Sequence, residues 1–335
     1  VTGRERILAV LGAQTPDRSS LMPITMMFAA ARAGLNYGRY AWDFRILVEC
    51  QLRAAEDYGF DHVSAITETR EAPDCGAPIR SFDNQPYALD EERSLLLDKA
   101  KLAAIAMPDP CSAAHMADRL AALAGLKRRV GGDLIVEGWV EGPCGAAADL
   151  RGINRLMLDF HDDPAFVADL FEFVLALAIS FGRAQVDAGA DVIGVGDPAA
   201  SLVGPRLYGQ FVWPYQQRLV DALHEAGAKV RLHICGNTRR ILAQMGSLGC
   251  EIVDIDSMVP LAEARAAMGP DQVLLGGIDP VRVIQDGAPA DVAAAVETCL
   301  RDAGPRYIVG GGCEIPAATP HANMLAMARA AGRAV

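Results

Sequence analysis

The chain has 335 residues, 51% of them hydrophobic and only 22% charged, enough apolar material for a large core and too little charge for a disordered chain. Its 42 acidic and 31 basic side chains leave a formal net charge of −11. That balance argues against a nucleic-acid partner, which calls for a basic surface. It suits a soluble enzyme without naming a substrate.

From the N-terminus, Val-Thr-Gly-Arg-Glu-Arg-Ile-Leu places charges inside the first turn and lacks a secretory-type apolar core. It reads as an amphipathic helix over residues 1–20, not a signal peptide. Eight short apolar or β-branched runs follow, at residues 21–27, 62–66, 134–140, 191–195, 229–234, 252–255, 273–277 and 307–311. Runs of that length suit parallel strands buried on both faces. Helical patterns separate them. One starts at Asp163-Pro164 and stops at Gly189, a second covers residues 205–226 before Gly227, and a third covers residues 239–248 before Gly249. Proline at the first turn and glycine just past the end are the expected start and stop signals.

Eight strands alternating with helices predict an α/β fold, a (β/α)8 TIM barrel with an N-terminal helical extension, in a single domain over residues 1–335. An open doubly wound sheet shares the local pattern, but the strand count favours the barrel. Residues 69–94, rich in Asp, Pro and Gly, read as a long excursion after the second strand. The longest apolar stretch, at residues 173–181, is too short to span a bilayer. Eight cysteines in a chain this long do not make a disulfide framework, so a cytoplasmic, reducing location is expected.

Barrel enzymes keep their reactive groups where strands end. Here those ends carry Glu68, Glu141, Asp197, His233 with Cys235, Asp256, Asp279, and Cys313 with Glu314. Some will cap helices, because Asp favours that position. His233 and Cys235 are two apart, which on a strand turns both toward one face. Cys313 would have to meet them across the mouth, and Gly310, Gly311 and Gly312 before it remove bulk and allow unusual backbone angles. From these residues alone, metal binding and core packing both stay open, since buried cysteine is a common small apolar filler.

If a metal is held, imidazole and thiolate donors suit zinc. Three protein ligands leave it one open position. Two thiolates formally cancel the charge of Zn²⁺. A substrate thiol bound there would stay an electron-rich thiolate, which tilts the chemistry from hydrolysis toward alkyl transfer. Glu68, Glu141 and Asp197 are the candidate catalytic residues for positioning substrate or handling protons. Asp197 could also be a fourth ligand or cap a helix, and Glu141 could be a displaceable fourth ligand or equally pair with an arginine. Asn237 is expected to cap a helix, and Glu314 to orient backbone. The remaining histidines lack metal-like spacing.

At His233-Ile-Cys235-Gly236, Gly312-Cys313-Glu314-Ile315-Pro316 with Thr319-Pro320, Phe211-Val212-Trp213-Pro214-Tyr215, and Gly142-Pro143, the chain resembles the uroporphyrinogen decarboxylase superfamily. It is most similar to the cobalamin-dependent zinc methyltransferase branch, such as corrinoid:coenzyme M methyltransferases. The resemblance implies a (β/α)8 barrel, zinc on His233, Cys235 and Cys313, and methyl transfer between a corrinoid and a small methyl donor or acceptor. No Asp-x-His-x-x-Gly motif is present. The corrinoid is therefore expected on a partner protein docking at the mouth. The decarboxylases carry a Met-Arg-Gln-Ala-Gly-Arg-Tyr arginine pair for substrate carboxylates. Residues 23–33 lack its first arginine, and Glu68 stands where the decarboxylases have an aspartate. A decarboxylase, or a zinc- or corrinoid-binding protein without activity, are the alternatives.

Overall fold

A computed structural model describes residues 1–68 and 70–332. Thr69, which opens the expected excursion, and residues 333–335, which end the expected domain, lie outside the described residues. The first helix runs Gly3–Leu11 and is closed by a capping box: Glu5 N donates to Thr2 Oγ1 (3.1 Å) and Thr2 N to Glu5 Oε2 (2.8 Å). It is shorter than the extension expected over residues 1–20.

The strands are β1 His62–Ser64, β2 Ile79–Arg80, β3 Ala88–Leu89, β4 Ile135–Glu141, β5 Val192–Gly196, β6 Lys229–His233, β7 Ile252–Ile255, β8 Val273–Gly276 and β9 Tyr307–Ile308. Seven of them form one parallel sheet in the order β1-β4-β5-β6-β7-β8-β9, and β2-β3 is a separate antiparallel pair. The strand expected at residues 21–27 is reduced to a single bridge at Leu21. Even so, it closes the ring. Val309 N donates to Ser20 O (2.8 Å), Met22 N to Val309 O (2.9 Å), and Asp61 N to Leu21 O (2.9 Å). Pro23 has no N–H to continue the ladder, and a helix begins at Met27.

Inside the ring, alternate residues face inward and form layers. At the bottom, Ile135, Val192, Ile252, Val273 and Ile308 pack on Ile7 and Val10 of the first helix, which plugs that end. Above them lies a charged layer of Glu137, Arg231, Asp254 and His62, all buried. The mouth comes next. Each layer is about two residues further along its strands, so one parity pattern carries the barrel from core to site.

Two helical expectations need correction. The helix expected at residues 205–226 is three joined pieces, Gly204–Leu207, a wide π-turn at Tyr208–Val212, and Trp213–Glu225. Pro214 cannot donate the regular helical bond, and the turn widens before it. The helix after β6 is only Leu242–Gly246. The apolar stretch at residues 173–181 also belongs to a longer helix, Pro164–Asp187, long and apolar enough to cross a membrane by length and composition. In this fold it packs on helices Pro143–Arg151 and Trp213–Glu225 and on β4, burying Val167, Leu170, Phe171 and Val174. It starts where expected, with the Asp163 side chain accepting from Phe166 N and Pro164 in the first turn.

Candidate metal centre and substrate cavity

His233 is the last residue of β6, Cys235 follows two residues later, and Cys313 lies just beyond β9. Their donor atoms all lie within 4.8 Å of one another. Cys313 Sγ is 3.7 Å from His233 Nε2. Zinc–sulfur and zinc–nitrogen bonds of usual length would set these atoms roughly 3.6 Å apart on a tetrahedral ion. The donor set therefore fits a single metal ion of the thiolate-binding kind.

The glycines before Cys313 are there for space. A Cβ on Gly312 would sit 2.5 Å from Ser257 N, and one on Gly310 would sit 2.9 Å from Leu275 Cδ2. Their φ values lie outside the left-handed region, so unusual backbone angles are not the reason. The segment is pressed against the end of β7, and that contact carries Cys313 to the other two donors.

Behind the imidazole stands a residue the sequence reading passed over. Asp254 Oδ2 lies 2.8 Å from His233 Nδ1. A proton on Nδ1 shared with Asp254 leaves Nε2 free to bind a metal, the usual way a carboxylate fixes a ligand's tautomer. Asp254 is itself gripped by Arg231, whose Nε donates to Oδ1 (2.9 Å) and Nη2 to Oδ2 (2.8 Å). Arg231 Nη1 also donates to Glu137 Oε1 (3.0 Å), and Trp139 Nε1 donates to Glu137 Oε2 (3.0 Å). The guanidinium lies 5.3 Å from the Trp139 ring centroid. Arg231 and Asp254 share the inward register of His233, one layer below it. A charged residue in the middle of each apolar run was the signal available in the sequence.

Burial works against charge on His233, but Asp254 and Cys313 outweigh it and push the imidazole up to about 10. The thiols divide one proton. Cys235 donates to Cys313, which lowers Cys313 to about 4 and raises Cys235. A bound cation would displace the protons on Cys235 and on His233 Nε2.

The donors open into a cavity of about 230 Å³, lined also by Glu68, Arg70, Glu71, Arg119, Trp139, Glu141 and Glu314. Among the catalytic candidates, Glu68 and Glu141 line it. Glu68 accepts from Tyr37 Oη (2.6 Å) and Tyr87 N (3.0 Å). Burial, together with Asp149, Glu71 and Asp197, raises the Glu141 carboxyl well above its ordinary value. Asp197 does not line this cavity. It accepts from Gly145 N (2.6 Å), Cys144 N (3.4 Å) and Gln216 Nε2 (2.7 Å), and burial raises it to about 6. It caps helix Pro143–Arg151 at the end of β4. Asp256 and Asp279 are also anchors: the first accepts from Gly236 N and Met258 N, the second from Val281 N and Arg282 N. Glu314 accepts from Met27 N (2.7 Å), and Asn237 from Arg239 N (3.3 Å), both as backbone-holding groups. Arg70, Glu71 and Arg119 were not expected in the cavity. Their positions come from the excursion after β1 and the helix that follows it, where spacing carries no barrel register.

A closed parallel ring with an imidazole, two sulfurs and a small cavity at its mouth defines a (β/α)8 enzyme with a thiolate-rich candidate metal centre. The chain belongs to the uroporphyrinogen decarboxylase (URO-D) family, whose model matches residues 2–334. It is 31% identical over 278 residues to the methylcobamide:CoM methyltransferase of Methanosarcina mazei, covering 82% of this chain and 80% of that protein. With the methylcobamide:CoM methyltransferase of Methanosarcina acetivorans it shares 28% identity over 98% of this chain and 97% of that one. A solved methyltransferase from Methanosarcina mazei superposes with a TM-score of 0.90 over 98% of both chains, at 22% identity. That likeness supports the barrel.

Proposed function

We propose that this protein is a zinc-dependent methyltransferase that moves a methyl group between a corrinoid, carried on a partner protein, and a small thiol. The carrying observation is the convergence of His233, Cys235 and Cys313 at a barrel mouth, with Asp254 orienting the histidine. Its family relatives named as methylcobamide:CoM methyltransferases support the same reaction class.

One zinc ion held by these three residues would keep a thiol ionised at neutral pH and leave its sulfur electron-rich. Transfer of the methyl group to that sulfur would form a carbon–sulfur bond and leave the cobalt–carbon electron pair with the corrinoid. The thiol's proton leaves to the cavity carboxyls or to water. Glu141 and Glu68 face the cavity and are the groups assigned to position the substrate and handle that proton. Asp197 serves from behind, holding the helix that follows Glu141. The cavity of about 230 Å³ suits a small thiol rather than a tetrapyrrole, which weighs against a decarboxylase. Its remaining opening faces the mouth, where a corrinoid-bearing partner can present the methyl group. Eight unpaired cysteines fit a reducing, cytoplasmic setting.

The test is metal analysis together with turnover. Protein purified without added zinc should hold or take up one zinc per chain, and should then demethylate methylcobalamin in the presence of thiols, seen as loss of its absorbance. A folded preparation that takes up no stoichiometric zinc would refute the reading. So would a zinc-loaded one that methylates no thiol.

A further inference from the structure

A second cavity, of about 480 Å³, adjoins the first. The two share Glu68, Glu141 and Pro198 as a common wall, and none of the three metal donors lines the second. Four of its lining groups are carboxyls, Glu68, Glu91, Glu141 and Asp149. Among the described residues no lysine, arginine or histidine lines it. Glu141 comes from the end of β4 and Asp149 from helix Pro143–Arg151. Gly145 on that helix leaves room for the Glu141 carboxyl, since a Cβ there would sit 2.8 Å from Glu141 Oε2.

Two of the four carboxyls are engaged by the fold. Glu91 accepts from Ile153 N (2.8 Å) and Asn154 Nδ2 (3.1 Å). Glu68 accepts from Tyr37 Oη and Tyr87 N, with Arg70 Nη2 3.8 Å away. The charged groups that act on Glu141 are all acids: beyond burial, Asp149, Glu71 and Asp197 raise it. Tyr87 gives a separate sign. It lines this cavity, is 7% exposed, and stacks its ring on Trp42 with centroids 5.6 Å apart. Its Oη has no hydrogen-bond partner among the described residues. Burial above all keeps that hydroxyl protonated, with Glu68 and Asp149 adding to it and Arg70 opposing. A buried phenol oxygen without a partner is costly, and its lone pairs are open to an N–H donor.

Closely spaced carboxyls without a counter-charge cannot all ionise, and an entering cation removes that conflict. A metal ion does not suit the place. Among the described residues only His233, Cys235 and Cys313 converge tightly enough to hold one. Elsewhere the cavity is walled by Leu89, Ile153, Ala199 and Leu202, which suits a ligand with hydrocarbon behind its charge. We infer that this cavity is a second ligand site, for a small protonated alkylamine whose ammonium group binds Glu141, Asp149 and Tyr87 Oη while its alkyl chain lies along Leu89, Ile153 and Leu202. Charge-assisted N–H···O bonds hold the head, and the apolar wall holds the chain. The site stands apart from the reaction proposed above, because binding there calls for neither zinc, corrinoid nor thiol.

The test is calorimetric titration of the purified protein with n-butylammonium chloride. The comparators are 1-butanol, tetramethylammonium chloride and potassium chloride. Butylammonium should bind once per chain, at least about 10-fold tighter than 1-butanol, which has no charge, or tetramethylammonium, which has no N–H. Potassium chloride should give no saturable heat. Asp149→Asn and Tyr87→Phe should each weaken butylammonium by about 10-fold or more, with zinc content as in the wild type. If Asp149→Asn does not fold, Tyr87→Phe decides alone. Absence of saturable butylammonium binding by the wild type would overturn the assignment. So would 1-butanol, tetramethylammonium or potassium binding as tightly, or folded variants of wild-type affinity, which would put the amine elsewhere. No turnover enters these measurements, so the alkylamine site and the methyl-transfer reading stand or fall separately.

Discussion

The two walls of the cavity are built in opposite ways. On the β4–β6–β7 side, His233, Asp254, Arg231, Glu137 and Trp139 form a chain in which each polar group meets another at 2.8–3.0 Å. Toward the excursion and helix Ala114–Val130, two donors of Arg119 have no hydrogen-bond partner among the described residues, and Glu141, at the very end of β4, sits among other carboxyls. A saturated network has one low-energy arrangement and holds a ligand atom in place. An unsaturated wall is complete only when something else enters. In the function proposed above, the first wall holds the metal and the second faces the substrate.

The largest effect breaks the comparison at its common point. Cys313→Ala leaves two donors and should lower zinc content well below one per chain, with methyl transfer down on the order of 10³-fold or more. Metal analysis and the methylcobalamin assay on one preparation read both. Retained zinc with normal turnover would mean that the sulfur is not a ligand.

Glu141→Gln probes the unsaturated wall. It keeps the shape, removes the exchangeable proton, and should reduce kcat on the order of 10²-fold while zinc stays bound. An unchanged kcat would leave Glu141 as cavity lining. Asp254→Asn probes the saturated wall. Losing the carboxylate behind His233 should weaken zinc about 10- to 100-fold, measured by competition with a chelator, with the preference among thiols unaltered. A shift in thiol preference with normal zinc affinity would show that the two walls are not separable.

The last effect concerns stability alone. His62 lies in the charged layer with no hydrogen bond to either ring nitrogen among the described residues, and burial, partly offset by Glu137, lowers it to about 4. Its folded value is below the ordinary 6.5. The stability it contributes is therefore present above pH 6.5 and is lost as pH falls through 4. His62→Leu should flatten that slope by up to about 3 kcal/mol between those limits, read from unfolding midpoints across the window. An identical slope in both proteins would place the acid sensitivity elsewhere.

Much of the barrel was legible because burial on both faces demands short apolar runs, and seven of the eight became strands where expected. The first did not, because Pro23 stopped the ladder after one bridge. Glu68 and Glu141 were found from their positions at strand ends, and both line the cavity. Asp197 has the same kind of position, yet its carboxylate is taken by helix amides and Gln216. Residue type and spacing do not distinguish a cap from a substrate contact, since both favour a carboxylate after a strand.

The linear chain by itself determined the alternation of strand and helix, and with it the inward turn of His233, because side-chain direction along a strand repeats every two residues; Cys235, two residues past the end of β6, lies beyond that rule. Only the closed ring brought Cys313 across to them and set Asp254 behind the imidazole. Only the packing of helix Ala114–Val130 against the mouth aimed Arg119 inward. Those contacts join residues tens of positions apart, and it is the curvature of the sheet and the exclusion of water, neither written in local periodicity, that decide which distant side chains meet.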